Sequence, residues 1–67
     1  MKSREALARN IRKLRGELGL SQEVLADKAG LDRTYISALE RSRYGATVDA
    51  LDKLAHALGV AAADLLR

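Results

Sequence analysis

The chain has 67 residues, no cysteine and a formal net charge of +3, and it is 48% hydrophobic and 31% charged. Those figures predict one small folded domain over residues 1–67, with no disulfide or thiolate metal site, suited to a reducing cytoplasm. Charges recur through Arg15 and no apolar run reaches the ~20 residues of a membrane span, so neither a secretion signal nor a transmembrane helix is expected.

Nothing alternates with period two and proline is absent, so the chain reads as all-α with five helices. The first runs from about Ser3 to Leu18, with Ser3 as N-cap and Leu7, Ile11, Leu14 and Leu18 on one face. Gly19 stops it. The second begins after Ser21, a good N-cap, and ends at Gly30. The third begins after Asp32 and ends near Arg41, and Ser42–Ala46 is a loop. The fourth begins after Thr47, carries Val48, Leu51, Leu54, Ala55 and Leu58 inward, and ends at Gly59. The fifth, about Ala61 to Leu66, starts at a residue that caps poorly, and we expect it to fray unless packed. The expected core adds Leu20, Leu25, Ala26, Ala29, Leu31, Ile36, Leu39, Val60 and Leu65.

The segment Gln22–Leu39 carries the most information. Leu25, Ala26 and Ala29 make an apolar face before Gly30, and Leu31, Ile36 and Leu39 make another after it. Small side chains at Ala26 and Ala29 let the next helix approach closely, and Gly30 supplies the turn. Two short helices meeting at a glycine turn read as a helix-turn-helix.

Charge is unevenly distributed. Residues 1–15 hold six cations (Lys2, Arg4, Arg9, Arg12, Lys13, Arg15) against Glu5, whereas residues 16–32 hold Lys28 against four acids. Residues 33–43 are basic again through Arg33, Arg41 and Arg43. A basic face suits a polyanion. With Ile36 and Leu39 inward, the third helix leaves Arg33, Ser37 and Arg41 on one stripe and Thr34 and Ala38 on the next. An arginine can fork onto guanine O6 and N7, and a threonine methyl can meet the thymine methyl.

These residues resemble a known family. Leu20-Ser21-Gln22, Leu25-Ala26, Gly30, Tyr35-Ile36-Ser37, Leu39-Glu40-Arg41 and Leu51-Leu54-Ala55-Leu58-Gly59-Val60 look like the phage-repressor (Cro and cI-type, XRE-like) helix-turn-helix family. The run Leu31–Ser37 with Glu40-Arg41 is most similar to controller proteins of restriction–modification systems. The resemblance implies a compact five-helix fold of the lambda-repressor type, with the second and third helices as the helix-turn-helix. It also implies a transcriptional regulator, repressor or controller, acting as a homodimer on two-fold-related double-stranded DNA. By the same resemblance Arg33, Thr34 and Ser37 match base-reading positions, and Ser21, Gln22, Tyr35, Arg41, Arg43 and Tyr44 match phosphate-binding ones. Arg15 and Glu40 match a salt bridge tying helix one to helix three. The chain departs from the family at Ser42, Gly45 and Ala46, where glycine, asparagine and proline are common.

The region Leu51–Leu66 has near-neutral charge and more aliphatics than short helices hide, so Val60, Leu65 and Leu66 are expected at a dimer interface. His56 has no second histidine or cysteine to share a metal. No nucleophile–base–orienter set is apparent, so no enzyme activity, small-molecule substrate or cofactor is expected. The basic first helix needs its apolar face for the core, which argues against a membrane surface. The competing reading is an antitoxin or other protein-binding helix-turn-helix module. Such antitoxins usually extend beyond the last helix, whereas this sequence stops at Arg67.

Overall fold

Polar caps and left-handed glycines set the element boundaries, and the elements then close on one aliphatic core. The structure, a computed structural model, describes residues 2–67. In chain order it has α1 (Lys2–Glu17), α2 (Gln22–Ala29), α3 (Arg33–Glu40), α4 (Val48–Leu58) and a 3₁₀ helix (Ala62–Leu66), with no strand among the described residues. The side chains of Ser21, Asp32 and Thr47 accept hydrogen bonds from the N–H groups of Val24 (3.0 Å), Thr34 (2.9 Å) and Ala50 (3.1 Å). Each satisfies a donor that the first turn of a helix leaves unpaired.

The helix ends are equally specific. Gly30 has φ +68°, a left-handed conformation that side chains disfavour. Around it, Leu31 N–H donates to Ala26 O at 2.9 Å, which turns the chain from α2 toward α3. After α3 the left-handed residue is Ser42 (φ 59°). Arg43 N–H then donates to Ala38 O at 3.0 Å, and Ser42 N–H to Leu39 O at 3.1 Å. A serine thus takes the turn position that glycine occupies elsewhere in this chain.

Leu7, Ile11, Leu25, Ile36, Leu39, Leu54 and Leu65 are the largest fully buried side chains. Burying each one contributes about 1.5–3 kcal/mol before entropy is subtracted. α2 packs on α3 and α4, α1 packs on α3 and the 3₁₀ helix, and α4 packs on the 3₁₀ helix. Leu14, Leu20, Leu31, Leu51 and Val60 are half-buried against this core.

Several expectations need correction. Ser3 is not an N-cap, because α1 already includes Lys2. Leu18 lies beyond the helix, at the Gly19 turn, and is 51% exposed. Val48, at the first position of α4, is exposed and lines an open groove with Leu51 and Leu66, whereas Ala55, two turns further along the same stripe, is buried. Ala38 is buried rather than displayed, since the chain folds back across it after α3. The fifth helix is a 3₁₀ helix, a form that suits short runs. It is held by Leu65 in the core and by Asn10, whose Nδ2 donates to Leu65 O at 3.0 Å and Arg67 O at 3.1 Å. Asp64 compensates for the weak cap at Ala61 by accepting the Ala61 N–H at 3.1 Å. Leu65, expected at a dimer interface, is completely buried within the single chain.

Candidate nucleic-acid interface

The turn at Gly30 sets α3 against α2 so that Ile36 and Leu39 seal the core. Arg33 and Thr34, at the start of α3, are exposed, and Ser37 one turn later is half-buried. Arg41, Arg43 and Tyr44 are exposed where the chain leaves α3. Asp32, Thr34, Tyr35, Ala38, Arg41 and Arg43 line a shallow groove together with Tyr44. That groove therefore holds one expected base-reading residue, Thr34, and four expected phosphate-binding ones, Tyr35, Arg41, Arg43 and Tyr44, while Arg33 is exposed next to Thr34 at the start of α3. Ser37 is not among the residues that line it.

The loop that closes this groove is tied to α3. Thr47 N–H donates to the Tyr35 hydroxyl oxygen at 3.2 Å. A phenol has one proton to donate, and this bond leaves it free. Tyr35 can therefore hold the loop and still donate to an anion.

Behind α3, Glu40 joins three helices. Arg15 forks onto its carboxylate, Nε to Oε2 at 2.8 Å and Nη2 to Oε1 at 3.0 Å. Gln22 Nε2 donates to Oε1 at 3.2 Å, and Arg15 Nη1 donates to Leu20 O at 3.0 Å. Arg12 Nη1 donates to the Glu40 carbonyl. Glu40 is 5% exposed, so this carboxylate is buried but amply partnered. The hydrogen bond to Glu40, helped by the charge of that carboxylate, raises the Arg15 pKa against the opposing effect of burial. The pair is thus a fixed brace holding the back of α3 to α1. Arg12 was missed from sequence; its position three residues before Arg15 places it on the same face of α1.

Gln22 sits at the first position of α2, beside the capping Ser21. Its side-chain amide is oriented by Glu40, while the unpaired N–H groups of the first turn favour an anion. Arg33, Arg41, Arg43, Gln22 and the free Tyr35 proton thus supply donors suited to phosphates and base edges. Val60 is half-buried and Leu66 is 44% exposed, on the C-terminal side of the fold. The described residues contain no group of acids, histidines or cysteines that could hold a metal ion, and no helix long and apolar enough to cross a membrane.

A helix-turn-helix family model matches residues 11–65, most of the chain. A hypothetical transcription factor of Neisseria meningitidis is 52% identical over 63 residues. That match takes in 94% of this chain but 59% of the relative's own length. The crystal structure of the restriction–modification controller protein C.AhdI from Aeromonas hydrophila superposes with a TM-score of 0.90 at 35% identity, covering 97% of this chain and 98% of that one. SinR, a master regulator of biofilm formation whose structure was determined in complex with DNA, superposes with a TM-score of 0.87 at 32% identity, covering 91% of this chain and 98% of that one. The chain belongs to the helix-turn-helix (XRE-like) family of transcriptional regulators, with restriction–modification controller proteins among its relatives.

Proposed function

We propose that this chain is a sequence-specific DNA-binding regulator of the restriction–modification controller kind, with α2 and α3 as its helix-turn-helix. The observation that carries this reading is the exposed start of α3. Arg33 and Thr34 stand free there while Glu40, at the far end of the same helix, is locked by Arg15 and Gln22. A reading helix needs both a free donor face and a fixed orientation, because base-edge hydrogen bonds tolerate little misplacement.

Arg33, Thr34 and Ser37 read bases in this scheme. Ser21, Gln22, Tyr35, Arg41, Arg43 and Tyr44 meet phosphates. The 67 residues act as one DNA-binding domain in the cytoplasm, without catalysis. Two copies bind a two-fold-related operator, joined through their C-terminal parts by Val60 and Leu66. Leu65 serves the core instead, being fully buried in one chain.

The test is a salt titration of binding to double-stranded DNA. Several phosphate contacts per copy predict that log affinity falls linearly and steeply with log salt concentration. Absence of DNA binding, or binding indifferent to salt, would overturn the proposal.

A further inference from the structure

Arg4 lies far before the loop after α3 in sequence, yet the fold brings them together. A methyl group placed on Gly45 would stand 3.5 Å from Arg4 Nε and 3.8 Å from its Cγ. The arginine side chain therefore runs along the bare backbone of the loop, one residue beyond Tyr44. Arg4 is exposed, and no salt bridge joins it to a carboxylate among the described residues. By contrast, Arg9 donates to Arg67 O, and Arg12 and Arg15 are committed to Glu40. Arg4 is thus a cation of α1 with no hydrogen-bond partner among the described residues, and the Gly45 it lies beside directly follows Arg43 and Tyr44 of the groove in sequence.

We propose that Arg4 is a further phosphate-binding residue, extending the DNA-backbone edge of the 41–45 loop onto the first turn of α1. The proposal rests on the DNA-binding reading above. Its chemistry is that of a guanidinium, a fork of donors matched to phosphate oxygens. Packing of the stem against Gly45 fixes the direction of the head group and reduces the entropy lost on contact. A phosphate contact positions the protein without selecting a base.

The experiment compares the parent with Arg4→Gln and Arg4→Lys on a duplex one half-site long, in selected and in random sequence, across a salt series. Arg4→Gln keeps most of the stem and removes the charge. It should weaken binding by roughly three- to tenfold, equally on both sequences, and lower the salt slope by about one. Arg4→Lys should keep the parental slope. Arg4 is exposed and unbonded, so all three proteins should melt alike. An Arg4→Gln protein with the parental affinity and slope would overturn the assignment. So would a loss confined to the selected sequence. If the parent bound neither duplex, the DNA-binding reading itself would fall.

Discussion

Arg15 and Glu40 meet as a two-pronged ion pair, Nε to Oε2 at 2.8 Å and Nη2 to Oε1 at 3.0 Å, with Glu40 buried behind the helix that carries Arg33 and Thr34. Twenty-five residues separate them in sequence. Their contact decides how α3 sits on α1.

Removing one member of a buried pair strands the other, at a cost of roughly 3–5 kcal/mol. Arg15 keeps 23% of its side chain exposed, which puts the expected loss for Glu40→Ala at the lower end, about 3 kcal/mol. A thermal melt equal to that of the parent would contradict the brace. The pH dependence follows from the raised Arg15 pKa. A cation whose folded pKa is raised contributes stability fully below its unfolded value, and that contribution is lost only as pH rises through the folded one. Both lie beyond ordinary buffers, so the Arg15 contribution should not fade between pH 7 and pH 10. The Glu40→Ala deficit should therefore be the same at both.

Ser42 adopts φ 59° in the turn after α3. A left-handed side-chain residue costs about 1–2 kcal/mol, offset in part by the looser unfolded chain that glycine brings. Ser42→Gly should stabilise the fold by about 0.5–1 kcal/mol, raising the melting midpoint by about 2–8 °C. A lower midpoint would show that the Ser42 side chain supports the turn.

Arg33→Ala should relax base preference and cost about 1–3 kcal/mol of discrimination at one position of the site. Affinity for selected and random DNA measured side by side checks this. Equal loss on both would make Arg33 a phosphate contact.

Tyr35→Phe removes the oxygen that accepts the Thr47 N–H and the proton left over for an anion. It should cost about 0.5–1.5 kcal/mol of stability and weaken DNA binding without changing sequence preference. Unchanged melting and unchanged affinity together would remove both roles.

Leu66 is the large exposed aliphatic of the C-terminal 3₁₀ helix. On the proposed assembly the parent should sediment as a dimer at tens of micromolar, and Leu66→Asp should leave the core intact and give a monomer. A dimeric variant would place the interface elsewhere.

The parts of the fold legible from sequence were those written in residue types with strong local preferences. Ser21, Asp32 and Thr47 marked helix starts, and Gly19, Gly30 and Gly59 marked ends, because caps and left-handed turns are local chemistry. Alanine carries no such mark. Ala38 lay on the side of α3 away from Ile36, and only the returning chain covers it. Val48 and Leu18 are apolar residues at helix margins, where periodicity cannot say which way the chain has turned. The Arg15–Glu40 contact came from family likeness, since periodicity alone would have put a glutamate outside. The contact of Arg4 with Gly45 is a long-range packing event with no sequence signal.

The most direct test of the central claim is selection of bound sites by the full chain from a pool of random double-stranded DNA. The account predicts enrichment of paired, two-fold-related half-sites whose centres lie about one DNA turn, ~34 Å, apart. Arg33→Ala should lose the preference at one symmetric pair of positions. A pool that stays random after repeated selection, despite retention of DNA, would contradict it.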